Sequence, residues 1–416
     1  MASGKAIDAV YGVEPPSAAK KLRELHYCAH IVHSHIAHFY ALAAPDFVVG
    51  PAAPPEKRNI LGLIEKVGKE AGLKVIRARS AAQRVQEIIG GRATHPVCNL
   101  PGGVSKQISQ EERDEIASIA QNLVEFSLWS LDLFDKVVLQ NKEYLDMVLS
   151  DAYTTPTKYM GLVDEQNRLN FYDGDIRVVD EQGNEVVKFK PHEYKDHIAE
   201  HVESWTYLKF PYLKKFGWKG LEARPDNGIY RVNTIARLNV SDRLATPKAQ
   251  EHFERFYETL PRPCHHTLAM HWARLIEMLY ASERMVELVN DPEITSDKIR
   301  NIPTEKPSEG VGVVEAPRGT LYHHYITDEN GIVQEVNLIV ATVNNKAAMN
   351  LSIRAAAAAL IKGGKYDQGL LNQVEMAFRA YDPCFACSSH SLPGRTPLIL
   401  RVWDADGNLR VELRRD

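Results

Sequence analysis

Apolar residues recur along this chain with a helical period over long stretches and with a two-residue period over only a few. Between Ser17 and Leu42 no glycine or proline interrupts, and Leu22, Leu25, Ala29, Val32, Ile36 and Phe39 fall at spacings of three to four, the stripe of a helix facing a core. Pro15-Pro16 and Ser17 open that helix, and Pro45-Asp46 is expected to stop it. Further helices are predicted over 58–69, over 78–89 ending at Gly90-Gly91, and from Glu111 to Asp135 with a continuation toward Leu149. The acidic starts of that last stretch mark it as an outer helix of a bundle. Thr267 to Val289 carries Leu268, Trp272, Leu275, Ile276 and Leu279 on one stripe, and the run Ala355 to Leu360 and the segment Leu370 to Arg379 complete the helical set.

Alternation appears in short pieces. Gly161-Leu162-Val163, Leu169 to Tyr172, Ile176 to Val179 and Glu185 to Phe189 read as strands, with Asp173-Gly174 and Gly183-Asn184 as turns. A hairpin is predicted from Leu321 to Ile326 and Ile332 to Val340 around a type I′ Asn330-Gly331 turn, and another from Thr396 to Trp403 and Leu409 to Leu413. The fold class is therefore mainly α, a bundle around a long central helix with small antiparallel β appendages.

Composition narrows the partners. In 416 residues, 50 Lys and Arg stand against 54 Asp and Glu, which leaves no basic footprint for nucleic acid. No run approaches the roughly eighteen apolar residues of a membrane span, and the start lacks a secretory plan, so a cytoplasmic location without a direct membrane span is expected. Five cysteines, an odd number in a chain this long, argue against a disulfide scaffold.

Several clusters invite a chemical reading. His26, His30, His33, His35 and His38 crowd one helix, with His26, His30 and His33 at helical spacing, and Cys264, His265, His266 and His271 lie close together without clean ligand spacing. Both are expected to be packed and hydrogen-bonded, as is the isolated Cys98. The aromatic tract Glu203 to Tyr212 is an interface patch or a core loop, which aromatics alone do not decide. Sharper is Asp382-Pro383-Cys384-Phe385-Ala386-Cys387-Ser388-Ser389-His390: two thiols two residues apart and an imidazole three further on. Such a soft donor set suits nickel, iron, zinc or a cluster, or a redox pair, and spacing alone does not choose.

This segment resembles the C-terminal metal signature of the large subunit of nickel-iron hydrogenases, especially the cytoplasmic, multi-subunit branch. Ala316-Pro317-Arg318-Gly319 resembles the family's active-site loop, Ala341 to Asn345 the tract that touches the iron's diatomic ligands, and His33-Ser34-His35-x-x-His38 the helix beside the metals. The resemblance implies Cys384 as terminal nickel ligand, Cys387 as the bridge to an iron with diatomic ligands, His390 as a magnesium ligand and Arg318 as a catalytic cation over the metals. It implies reversible oxidation of H2, with electrons passed to an iron-sulfur small subunit, then to an electron-carrier subunit. It also implies a large-subunit-like domain over 1–390 and an extension over 391–416 that a maturation peptidase removes. Two more thiolates in the family come from an Arg-x-Cys-Gly-x-Cys motif that these 416 residues lack, and Met1 to Ala6 resemble the residues next after that motif. The chain is accordingly read as a large subunit whose start is lost, misassigned or encoded separately, inactive when taken alone. The competing reading is a non-catalytic hydrogenase-related structural or electron-transfer subunit.

Overall fold

The computed structural model describes residues 1–416 except 55, 207, 385–397 and 416; of 398, 400 and 413–415 it describes the backbone alone. Its helices, in chain order, include α1 (Ala2–Val10), α2 (Ser17–His38), α3 (Lys69–Gly90), α4 (Gln110–Phe134), α5 (Thr234–Val240), α6 (Met270–Val289), α7 (Lys346–Leu360) and α8 (Gln368–Arg379). The strands that matter are β1 (Lys158–Val163), β2 (Asp175–Val179), β3 (Glu185–Phe189), β4 (Ile198–Val202), β5 (Lys209–Leu213), β6 (Tyr230–Arg231), β7 (Glu309–Ala316), β8 (Gly319–Thr327), β9 (Val333–Ile339), β10 (Leu398–Trp403) and β11 (Leu409–Arg415). A helical core with small sheets at its margin matches the fold class read from the sequence.

The helix α6 is buried along nearly its whole length and packs against α2 and α4, while α2 also packs against α3. The Glu111 stretch is, as expected, an outer amphipathic helix: Glu111, Asp114, Glu115, Gln121, Asn122 and Glu125 are exposed, while Ile116, Ala120, Leu123, Ser127 and Ser130 are buried. Ser127 and Ser130 are fully buried on α4, and their small hydroxyls bond back to Leu123 and Phe126, which lets the α4 backbone approach α6 until Ser127 Oγ lies 3.2 Å from Ser282 Oγ. Pro45 does not stop the second helix. A widened π turn, Phe39–Ala43, closes with Ala44 N–H bonding to the Phe39 carbonyl, and helical backbone resumes over Ala44–Val48. The wider turn accommodates a proline ring that would otherwise meet the preceding turn.

The sheets depart from the simple hairpin reading as well. The four-stranded sheet has the order β3-β2-β1-β6, and β6 joins β1 in parallel, so it is mixed and not a purely antiparallel appendage. Leu169 to Tyr172 is loop with one isolated bridge, because the Asn170 side chain accepts the Tyr172 and Asp173 N–H groups and bends the chain away from a ladder. Around Asn330-Gly331 the loop is longer than a type I′ turn. Asp328 Oδ1 accepts from Asn330 and Ile332 N–H, with Gly331 in the left-handed region at φ 78°.

The strands β7, β8 and β9 form an antiparallel sheet whose β7–β8 turn carries Arg318, and α1 lies directly on β7. The contact is backbone to backbone through Gly310 and Gly312, where an added Cβ would stand 2.3 Å from Ala6 O and 2.2 Å from Ala2 O. Replacing Gly312 by Ala must push α1 off the sheet that carries Arg318. Denaturant titration of this variant is expected to show a loss of about 1–3 kcal/mol, and an unchanged midpoint would place the tolerance for that methyl elsewhere in the packing.

Candidate metal centre

The helix α8 begins at Asp367, whose side chain accepts the Leu370 N–H at 2.8 Å, and ends at the turn that leads to Cys384. Helix ends leave carbonyls without partners, and here side chains from distant elements take them. His38, on α2, donates to the Arg379 carbonyl at 2.8 Å, and Arg274, on α6, donates to the Ala380 carbonyl at 2.9 Å. Arg318, from the β7–β8 turn, donates Nε to the Asp382 carbonyl at 2.6 Å and Nη2 to its carboxylate at 3.2 Å. Tyr381 is buried and its hydroxyl lies 2.9 Å from Ser352 Oγ on α7. Asp382 takes the left-handed conformation at φ 55°, uncommon for a side-chain-bearing residue, and this reverses the chain so that Cys384 N–H meets Thr342 Oγ1 at 3.3 Å.

Arg318 thus lies beside the cysteine loop, a third exposed, with Asp382 as its ion-pair partner. Asp382 itself is buried; burial pushes its carboxyl up, while Arg318 and Arg274 pull the other way. One of its oxygens, Oδ2, has no partner among the described residues. Arg274 is completely buried, and burial lowers it to about 10, so it keeps its charge at neutral pH.

The turn that presents Arg318 has its carbonyls taken by side chains. Arg237 Nη1 and Nη2 donate to Ala316 O at 2.8 Å and Pro317 O at 3.1 Å, Asn345 to Arg318 O at 2.9 Å, and Asn344 to Thr320 O at 2.9 Å. Gly319, at φ 127°, presses on Val232 so closely that a Cβ would stand 2.3 Å from its side chain. Asn344 and Asn345 therefore turn inward onto the hairpin. Of their tract, Thr342 is the residue that hydrogen-bonds to the cysteine loop.

Cys387 and His390 lie outside the described residues. Cys28, Cys98 and Cys264 are free and buried in other places, the last with its thiol pushed up to about 12 by burial. Among the described residues no group of three or more His, Cys, Asp and Glu could hold a metal ion. The histidine clusters are packed, and most members are hydrogen-bonded: His35 Nε2 is 3.0 Å from Glu277, His265 Nδ1 is 2.5 Å from the Tyr159 hydroxyl, His266 Nδ1 is 2.9 Å from Thr154, and His271 stacks on His38, whereas neither ring nitrogen of buried His26 has a hydrogen-bond partner among the described residues. The tract Glu203 to Tyr212 is the β4–β5 hairpin, with Trp205 exposed and Phe210 buried against Trp218.

No local sequence pattern singles out Arg237, Arg274 and Glu277 as a set. For two of them a signal is present, since Arg274 and Glu277 sit three apart inside the apolar run Leu268 to Ala281, where a charge without a partner would not be tolerated.

A model of the family described as nickel-dependent hydrogenase matches residues 1–58 and 69–390. The chain is 48% identical over 415 residues to the iron-sulfur subunit of an F420-non-reducing hydrogenase of Archaeoglobus profundus, covering 99% of this chain and 85% of that protein. It is 36% identical over 431 residues to the NAD-reducing hydrogenase HoxS subunit beta of Cupriavidus necator, 100% of this chain and 86% of that one. Among solved structures, an NAD+-reducing NiFe-hydrogenase in the H2-reduced state superposes with a TM-score of 0.86 at 35% identity, covering 94% of this chain and 84% of that chain. A Ni-Fe-Se hydrogenase from D. vulgaris Hildenborough shares the fold, at TM-score 0.69 and 21% identity over 94% of this chain and 85% of that one.

Buried imidazoles on α2 make stability depend on pH. Burial lowers His26 and His35 from 6.5 to about 4, so the folded chain binds fewer protons than the unfolded chain between those values. Their contribution is whole above pH 6.5 and is lost as pH falls toward 4, at up to about 1.4 kcal/mol per pH unit from each. Urea unfolding followed from pH 7 down to 4.5 is expected to show this decline, and His35→Gln is expected to flatten it; a midpoint constant across that window would contradict the burial of neutral imidazole.

Proposed function

The chain belongs to the nickel-dependent hydrogenase family as a large subunit, and from that premise we propose that it carries the centre at which H2 is reversibly oxidised to protons and electrons. The observation that carries this reading is the convergence of His38, Arg274 and Arg318 on the backbone that leads into Cys384. The donor chemistry fits a nickel-iron pair: Cys384 and Cys387 are soft sulfur ligands, and an orphaned carboxylate oxygen of Asp382 is buried beside them in sequence. In this reading Cys384 would hold nickel as its terminal ligand, Cys387 would be shared between nickel and an iron with diatomic ligands, and His390 would hold magnesium. The described cysteines Cys28, Cys98 and Cys264 are buried in other places, which supports leaving them out of this ligand set.

When bound, a thiolate-held nickel-iron pair supplies Lewis acidity and redox capacity toward a ligand as weak as H2. The chain's own residues do the rest. Cys384 Sγ receives the first proton. Thr342 fixes the cysteine's backbone, and Arg318 holds a permanent positive charge and a planar set of donors beside it, aimed by Asp382. Electrons leave through an iron-sulfur small subunit, since no cluster-spaced cysteine set occurs in the sequence, and an electron-carrier subunit receives them. Residues 391–416 are an extension that a maturation peptidase removes after His390, a reading supported by the family match that ends at residue 390. Among the described residues no helix is long and apolar enough to cross a membrane, which accords with an enzyme of the cytoplasm.

Two substitutions in the assembled complex test the roles. Arg318→Lys keeps charge and loses the planar fork, so turnover is expected to fall about 10²-fold with nickel content unchanged; equal turnover would make Arg318 a surface residue. Cys384→Ser is expected to reduce nickel to background by metal analysis, and full nickel retention would remove Cys384 from the ligand set.

A further inference from the structure

Four buried arginines have large, fully covered side chains: Arg23, Arg231, Arg237 and Arg274. Three of them leave a guanidinium nitrogen without a partner, and Arg237 leaves none. Its Nε and Nη2 grip Glu277 at 2.7 and 2.6 Å, its Nη1 grips Glu315 at 3.0 Å, and the remaining donors hold the carbonyls of Ala316 and Pro317. Both carboxylates are anchored in turn. Glu277 meets His35 at 3.0 Å, and Glu315 Oε1 accepts from Thr320 Oγ1 at 2.7 Å and from Leu162 N–H at 2.9 Å. One guanidinium therefore joins α2 and α6, which cap the cysteine loop, to the turn that presents Arg318.

The charge at this place calls for an explanation. Two carboxylates and a guanidinium without solvent are a costly way to stabilise a core, since apolar residues of similar volume do as well or better. What an apolar core cannot do is hold two consecutive backbone carbonyls at fixed positions. We propose that Arg237 is a positioning residue for the hydrogenase reaction: by clamping the Ala316 and Pro317 carbonyls it sets the direction in which Arg318 leaves the turn toward Asp382. The proposal rests on the role assigned above to Arg318, and it adds a group that touches neither metal nor substrate. The distinction from general stability is geometric. Loss of the clamp frees the next residue, Arg318, while buried arginines in other networks stay covered.

The test uses the full chain and reads Arg318 directly. Phenylglyoxal labels accessible arginines, and the rate at each position is read by peptide mass mapping in the unmodified protein, in Arg237→Lys and in Glu315→Gln. Lysine keeps the charge but cannot reach two carboxylates and two carbonyls at once, and Gln replaces an acceptor oxygen of the cluster by a donor. In either variant Arg318 is expected to label several-fold faster, with Arg231, bonded to Thr155 and Thr157 in a separate network, as protected as before. In the assembled enzyme the same variants are expected to lose about 10²-fold in kcat with KM for H2 and nickel content unchanged. An unaltered Arg318 rate in a folded variant overturns the proposal. So does a rise at Arg231 equal to that at Arg318, or failure of both variants to fold, because each shows a role in stability alone. The labelling result stands whether or not the chain serves a hydrogenase, so the two readings fail separately.

Discussion

The structure depends on a charge that is buried and fully paired. Arg237 stands between Glu277 of α6 and Glu315 at the end of β7, all three without solvent contact. Removing any one member would leave a charge or a carbonyl without a partner, a loss of roughly 3–5 kcal/mol. Burial raises Glu315 while Arg237 opposes it, whereas Glu277, bound by two donors of Arg237 and by His35, is held below its usual range despite burial. The cluster ties together the helical core, the mixed sheet through Leu162 N–H, and the three-stranded sheet through Thr320. It adds directional bonds to the shared apolar core and to the close contact of α1 with β7, which also hold the sheets.

Much of the bundle was legible because burial writes itself into period. The stripe on α2 and the apolar run of α6 predicted helices where helices stand, and the Cys384 segment stood out by donor type. What failed to show was everything decided by a partner distant in sequence. Past Pro45 the helix resumes with Asp46 buried, where Arg379 and Asn372 of α8 reach it. The parallel β1–β6 pair needs a return of the chain after more than sixty residues that no local pattern announces. Gly310 and Gly312 read as ordinary strand glycines until α1 is laid on them. Asn344 and Asn345 hydrogen-bond the hairpin's carbonyls, the Val232 N–H and the Tyr230 hydroxyl, partners far away in sequence. In each case the local residue type was right and its partner was invisible.

The side chains around the cysteine loop divide into two electrical kinds. The imidazoles are neutral: burial lowers His35 to about 4 and His38 well below its ordinary value, and the neutral His35 ring donates from Nε2 to Glu277 and leaves Nδ1 bare. They serve as hydrogen-bonding wedges between helices. The guanidiniums are permanent, and two of them, Arg318 and Arg274, face a single carboxylate, Asp382. Among the described residues the cations at the base of the loop are thus guanidiniums, which do not titrate in the physiological pH range. A pH change within that range leaves the charge on these side chains alone. Histidinium in the place of the guanidiniums would lose its charge within that same range. Placing charge on arginine and keeping histidine neutral thus makes the anchoring of the loop independent of pH there, because every bond that holds its base is made by a group in one fixed protonation state.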